Sequence, residues 1–375
     1  MSIPSKSFQP IKRTLMGPGP SDVDPRILEA LSRTTIGHLD PMFVSLMDEV
    51  KQLLQYAFQT KNELTMPVSA PGSAGMEAAF ANLIEPGDKV IICQNGVFGG
   101  RMYENVVRCQ GVPVLIQDEW GKQTDSNKLI TALEENPDTK IVAFVHAETS
   151  TGVRNDAKLL CDIAKRYGCL TIVDAVTSLG GCELLVDEWK IDAIYSGSQK
   201  CLSCVPGISP VSFSQAAVER IKQRSRPVQS WFLDMDLVMG YWGKGSKRAY
   251  HHTAPVNSIY ALHESLLILA NEGLENAWSR HYKNHLLLRD GLEKLGLEFA
   301  VDEAYRLPQL NMVTIPEGVD DAAVRSQLLN EFNLEIGAGL GELAGKVWRI
   351  GLMGYASKPE NVEYCVSSLS TILNR

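Results

Sequence analysis

Short apolar runs, rich in β-branched residues, alternate with longer amphipathic stretches over the first two-thirds of the chain. Val90–Cys93, Val112–Ile116, Ile141–His146, Leu170–Ala175 and Ala193–Ser196 read as strands. Leu64–Val68 reads as another, followed by a helical run over Met76–Leu83. Asp125–Glu135, Asp156–Tyr167 and Gln215–Arg224 carry helical spacing. Alternation of this kind predicts an α/β fold: a mostly parallel sheet of about seven strands sandwiched by helices. Strands that are apolar at nearly every position are strands covered on both faces.

The pattern changes after about residue 260. One long helical stretch is expected over Ser258–Leu295, with Gly273 inside it. Apolar segments follow at Leu310–Ile315 and Val347–Leu352, with helical patterns at Asp320–Phe332 and Lys358–Leu373. These predict a smaller C-terminal α+β domain. The boundaries drawn are an arm over residues 1–16, a large domain over 17–272 and a small domain over 273–375.

Composition narrows the class. The 375 residues are 45% hydrophobic and 21% charged, with a net charge of -8. That is ordinary for a soluble globular chain and argues against binding nucleic acid or an anionic membrane surface. No apolar run is long enough to span a bilayer, and MSIPSKSFQP lacks the apolar core of a signal peptide. Eight scattered cysteines, several inside apolar runs, suit free thiols in a reducing compartment, so a cytoplasmic location is expected.

In open α/β sheets ligands bind beyond the carboxyl ends of the strands. Three such ends carry polar groups here: Asp174 after Leu170–Val173, Ser196-Gly197-Ser198-Gln199-Lys200 after Ile191–Tyr195, and His146 to Gly152 after Ile141–Val145. A lysine in a small polar loop can form a Schiff base with an aldehyde cofactor. An aspartate ending a neighbouring strand could pair with a protonated pyridine nitrogen and keep the ring electron-withdrawing. The bland reading makes Asp174 a helix N-cap and Lys200 a solvated loop residue. Ser69 to Gly75, a Gly/Ser-rich turn before a helix, could cradle a phosphate on free backbone N–H groups. Phe98 could stack on a planar ring or simply belong to the core. Arg349, inside an apolar strand, needs an anionic partner: a substrate carboxylate or a structural Asp or Glu.

Other signals are weaker. Cys201-Leu202-Ser203-Cys204 is a C-x-x-C with no second ligand pair nearby, which suits packing under a loop better than zinc. His251-His252 in a strand would face opposite sides and chelate poorly. Gly240 to Gly245 is expected to be a loop.

Together these motifs resemble the class V (fold type I) aminotransferases, nearest to the alanine–glyoxylate and serine–pyruvate group. The resemblance runs through Gly17-Pro18-Gly19-Pro20-Ser21, Asn95-Gly96-Val97-Phe98-Gly99, Glu148-Thr149-Ser150-Thr151-Gly152 and Val173-Asp174-Ala175-Val176. It continues through Tyr195-Ser196-Gly197-Ser198-Gln199-Lys200, Tyr250-His251-His252-Thr253 and Lys346-Val347-Trp348-Arg349-Ile350-Gly351. It implies pyridoxal 5'-phosphate as cofactor and transamination between alanine or serine and glyoxylate or pyruvate. Lys200 would carry the Schiff base and Asp174 would meet the ring nitrogen. Val176 and Phe98 would pack on the ring, and Thr149 would sit near its 3-hydroxyl. Gly72, Ser73, Ala74 and Gln199 would lie about the phosphate. A homodimer is implied, with Tyr250 and Thr253 reaching the partner's phosphate. Arg349 would grip the substrate carboxylate, with Gly19 and Thr149 beside the substrate. Two positions depart from the alanine–glyoxylate pattern. Phe98 stands where Trp is common, and Ser73-Ala74 stands where a Gly-His pair is common. Rival readings are an enzyme of this fold acting on another donor, such as an aminoalkylphosphonate or a β-lyase-type substrate, and a non-catalytic homologue.

Overall fold

The computed structural model describes residue 3, residues 6–243 and residues 248–374. Its centre is a seven-stranded sheet. In chain order the strands are β1 (Leu64–Val68), β2 (Lys89–Gln94), β3 (Val112–Gln117), β4 (Ile141–Val145), β5 (Leu170–Asp174), β6 (Ala193–Tyr195) and β7 (Ser209–Phe213). Their order across the sheet is β1-β7-β6-β5-β4-β2-β3. β2 to β6 pair in parallel where they are neighbours, while β7 runs antiparallel to both β6 and β1. Because β7 is flanked on both sides by antiparallel partners, β1 points the same way as β6. The carboxyl ends of β1, β2, β4, β5 and β6 therefore share one edge.

β1 and β4 are buried at every position, which is why their sequences do not alternate. Three of the predicted helices begin on aspartate caps, among them Asp320, which accepts from Ala323 N–H. Asp125 accepts from Asn127 N–H and Asp156 from Leu159 N–H, each cap worth about 1 kcal/mol. Two helices that open the site's walls matter most below: α1 (Gly72–Leu83) and α2 (Val97–Arg108).

Three expectations need correction. The long stretch from Ser258 is two helices, α3 (Val256–Glu272) and α4 (Leu274–Lys294), broken at Gly273. Gly273 sits at φ 83°, a conformation that ends a helix and that glycine adopts without a Cβ penalty. Gly240–Trp242 is not a loop but the end of the helix Met235–Trp242, while Lys244 and Gly245 lie outside the described residues. His251 and His252 are not in a strand, and their Nδ1 atoms lie 2.8 Å apart.

The buried apolar residues form two main clusters. One surrounds the large sheet and runs from Ile27 to Ala277. The other joins Leu288 and Leu292 of α4 to the strands Leu310–Thr314 and Val347–Gly351 and the helix Pro359–Leu373. Met16 belongs to the second cluster although it lies at the other end of the chain. Thr14–Leu15 pairs in parallel with Leu334–Glu335, and Gly351 N–H donates to Met16 carbonyl at 2.7 Å. The arm residues Met1, Ser2, Pro4 and Ser5 lie outside the described residues. Among the described residues no helix is long and apolar enough to cross a membrane.

Candidate active site

At the shared edge the loops enclose a cavity of about 190 Å³. Gly72, Ser73, Phe98, Thr149, Asp174, Val176, Gln199 and Lys200 all line it. Five segments that are far apart in sequence reach this space because each follows a strand of the same sheet or opens a helix beside it.

Asp174 is the last residue of β5 and is 3% exposed. Its Oδ1 accepts from Val176 N–H at 2.8 Å. Burial pushes its carboxyl up to about 7, against the opposing pull of the Val176 N–H and the Tyr195 hydroxyl. The nearby Glu148 carboxylate pushes it the same way as burial. Such a carboxyl lacks a strong cationic neighbour and would be stabilised by one.

Lys200 follows β6 through a turn of small residues. Its Nζ donates to the carbonyl of Pro18. Burial lowers its amine to about 8, and Arg349 and Arg101 act in the same direction. A lysine tuned this way has a substantial neutral fraction near physiological pH, as a nucleophile or proton carrier requires. Gly19 lies directly against it, at φ 101°. A Cβ on Gly19 would sit 2.6 Å from Lys200 Nζ, so only glycine admits the lysine here.

The phosphate cradle predicted at Ser69 to Gly75 is the N-terminus of α1. Pro71 holds the N-cap position and gives no side-chain cap. The first N–H groups, at Gly72 and Ser73, therefore face the cavity edge without an intrahelical acceptor. A Cβ on Gly72 would approach Val176 Cγ2 to 3.3 Å. Gln199 adds an amide whose Oε1 is buried with no hydrogen-bond partner among the described residues. Ala74 is not brought in. Its N–H donates to Pro71 carbonyl at 2.7 Å and its methyl packs against the large core.

Arg349 lies in the strand Val347–Gly351 and is 7% exposed. Its Nε donates to Ala338 carbonyl at 2.6 Å and Nη1 to Thr149 carbonyl at 3.3 Å. It makes no ion pair among the described residues, and burial brings its guanidinium down to about 10. Among the described residues no Asp or Glu lies within ion-pair distance of it; the buried Glu148 carboxylate is the one anion whose field favours its charged form. Tyr250 and Thr253 stand apart from the cavity. Both are exposed, with their hydroxyls 3.3 Å from each other. The C-x-x-C thiols, Cys201 and Cys204, are buried and unpaired, and Cys201 Sγ donates to Thr177 carbonyl at 3.3 Å.

Sequence reasoning missed three groups. Tyr195 lines the cavity with its hydroxyl toward Asp174. Arg101 also lines it, with its guanidinium 4.7 Å from the centre of the Phe98 ring. The i, i+3 spacing of Phe98 and Arg101 on one helix face was readable. Glu148, fully buried, was passed over in favour of its neighbour Thr149.

A lysine lowered by burial, a buried carboxyl, an uncapped helix N-terminus and an arginine without an ion pair among the described residues make a site for a planar carbonyl compound with an anionic tail. The sequence pattern of the class-V aminotransferases matches residues 26–364. The chain belongs to the class-V aminotransferases. As an aminotransferase it takes an amino acid and a 2-oxo acid as substrates. The crystal structure of alanine–glyoxylate aminotransferase from Nostoc sp. is 47% identical and superposes with a TM-score of 0.96, covering 99% of this chain and 98% of that one. That of ureidoglycine–glyoxylate aminotransferase from Bacillus subtilis is 38% identical with a TM-score of 0.96, covering 99% and 95%. Alanine–glyoxylate aminotransferase of Rattus norvegicus is 39% identical over 98% of this chain and 89% of its own. These similarities agree with the predicted fold type, family and reaction class.

Proposed function

We propose that this class-V aminotransferase binds pyridoxal 5'-phosphate in the cavity described above and moves the amino group of alanine or serine to glyoxylate. Glyoxylate stands in the names of all three relatives above, which favours it over pyruvate as acceptor. The observation that carries the reading is the meeting of Lys200 and Asp174 across one cavity beside an uncapped helix N-terminus.

The residues fit the cofactor. Gly72 and Ser73 N–H groups and the Gln199 amide would hold its phosphate. Phe98 and Val176 would pack on its ring, and Thr149 would lie near its hydroxyl. When bound, the cofactor supplies a carbonyl that takes up an amine and a ring that withdraws electrons. Asp174 would hold a proton at the ring nitrogen, and the pairing would relieve the burial that now raises its carboxyl. Arg349 would orient the substrate through its carboxylate. Lys200 Nζ would take the proton from the substrate Cα and return it on the other side of the transfer, as base and then acid. The loop Gly17–Pro20 would limit the substrate to a small side chain.

The active form would be a homodimer, in which Tyr250 and Thr253 of one subunit reach the phosphate of the other. Their exposure, together with that of Trp231 at 61%, supports a covered face there. The cell compartment would be the cytoplasm, consistent with eight buried free thiols. A second donor is favoured by the Bacillus subtilis relative: (S)-ureidoglycine. Initial rates for alanine, serine and ureidoglycine against glyoxylate and pyruvate decide among these. Lys200→Ala should lose both turnover and the visible absorbance that appears on adding pyridoxal phosphate. Full-strength absorbance in that variant refutes the assignment of the lysine.

A further inference from the structure

We infer that Glu148 is a positioning residue that clamps Phe98, Thr149 and Arg349 into one rigid wall of the site. The inference rests on the cofactor reading above. Glu148 is fully buried, and its carboxylate is anchored by donors from two directions. Ser150 N–H and Ser150 hydroxyl donate to Oε1 at 3.0 and 2.6 Å. Phe98 N–H donates to Oε2 at 3.1 Å, with Gly99 N–H beside it. The Ser150 hydroxyl can serve either form of the carboxyl, but the backbone N–H groups of Ser150, Phe98 and Gly99 can only donate, so they favour the ionised form against the burial that raises this carboxyl. The helix dipole at the start of α2 favours the same charge state.

The arrangement is not an ordinary helix cap. The N-cap residue of α2 is Gly96, which has no side chain to offer. A Cβ on Gly96 would lie 2.5 Å from the Glu148 carboxyl carbon. The chain has left the usual capping position empty and filled it with a carboxylate from the hairpin after β4. That hairpin is itself fixed: Ala147–Glu148 pairs with Val153–Arg154, and Gly152 N–H donates to Glu148 carbonyl at 2.8 Å. Ser150 hydroxyl completes the joint by accepting from Val97 N–H at 2.9 Å.

Two residues that line the cavity, Phe98 and Thr149, and Arg349 behind them depend on this joint. Phe98 is held through its own N–H. Thr149 is the residue between Glu148 and Ser150, so the two anchors fix its direction. Arg349 leans on the Thr149 carbonyl. The charged and titratable groups facing Glu148 are Asp174 from β5, Tyr195 from β6 and Arg349 from the small domain. A group that holds shape and charge at once has a testable double signature.

The experiment compares Glu148→Gln and Ser150→Ala with the parent enzyme. Gln keeps the size, removes the charge and forces at least one N–H against an N–H donor. Ser150→Ala loosens the joint while leaving the charge. Dissociation constants for pyridoxal phosphate, the pH midpoint of the visible absorbance of the loaded protein, and kcat/KM for alanine are measured. Glu148→Gln should bind the cofactor about tenfold more weakly, the effect of one lost charge-assisted hydrogen bond. Its midpoint should fall by about half a pH unit or more, because removing an anion makes nearby acids stronger. Its kcat/KM should fall with both. Ser150→Ala should weaken binding to a smaller degree with its midpoint unmoved. Parental binding, midpoint and kcat/KM in Glu148→Gln overturn the inference. So does a Glu148→Gln protein that fails to fold while Ser150→Ala binds like the parent, since Glu148 would then serve only the fold. A parent enzyme that binds no cofactor defeats the functional reading instead, before either variant is compared.

Discussion

Replacing Arg349 by Met separates a substrate anchor from a structural cation, because the two roles predict opposite costs. Burial takes the guanidinium well below its ordinary value, to about 10. That corresponds to roughly 3 kcal/mol by which the charged form is disfavoured in the folded chain. Two neutral carbonyls, of Ala338 and Thr149, are its partners, and hydrogen bonds of this kind return about 1–3 kcal/mol each. The terms nearly cancel, so Arg349→Met should leave the melting temperature of the cofactor-free protein within a few degrees of the parent. Function should respond very differently. Loss of a charge-assisted grip on a carboxylate is worth about 2–4 kcal/mol, or roughly 30- to 1000-fold in kcat/KM. The fall should appear for both the amino acid and the 2-oxo acid, since both carry the carboxylate. Thermal melts and a coupled rate assay measure the two quantities. A steep loss of melting temperature with kcat/KM unchanged for both substrates would refute the reasoning.

Two other substitutions test the site and its frame. The folded cofactor-free chain holds the Asp174 proton more tightly than the unfolded chain, its carboxyl being raised from 3.8 to about 7. This group's contribution is therefore most favourable below about pH 4 and is lost as pH rises to about 7, by roughly 4 kcal/mol as an upper bound. Asp174→Asn should remove that part of the pH dependence, seen as a smaller difference between melts at pH 5 and pH 8; an unchanged difference contradicts it. Gly75→Ala should destabilise the chain by about 1–3 kcal/mol in denaturant unfolding, because the new methyl collides with Ser209 Oγ and comes within 3.1 Å of Tyr195 Cβ. A neutral effect would mean that α1 packs against β6 and β7 more loosely than described.

The parallel strands were legible because burial on both faces leaves an uninterrupted apolar run, as in Ile141-Val142-Ala143-Phe144-Val145. β7 was not. Ser209-Pro210-Val211-Ser212-Phe213 is fully buried, yet its polar atoms are satisfied internally. Ser209 hydroxyl donates to Ser196 carbonyl at 2.6 Å and Ser212 hydroxyl lies 2.8 Å from that of Thr65. Partners like these come from other strands and leave no trace in a window of five residues. Lys200 and Asp174 could be found because Asp174 ends β5 and Lys200 lies in the turn after β6, and strand ends converge. Glu148 could not be ranked the same way, since a carboxylate in a loop reads as solvent-facing until its donors are seen. The break at Gly273 and the helix through Gly240 show the same ambiguity from both sides. Only the backbone angle tells a glycine that interrupts a helix from one that rides in it.

The pairing of Thr14–Leu15 with Leu334–Glu335 has a consequence for biosynthesis. A ribosome has made nearly nine-tenths of the described chain before the partner strand exists. Until then the large core can form, with the Lys200 amine and the Asp174 carboxyl already near each other. The segment bearing Pro18 and Gly19, however, then has only its contacts to Gln199 and Lys200 and lacks its anchor through Thr14–Met16. Completion of the pocket is thus tied to a contact spanning most of the chain, the type of closure that forms late because its entropic cost precedes its reward. Truncated chains ending before Leu334 should be left with an open, unguarded lysine.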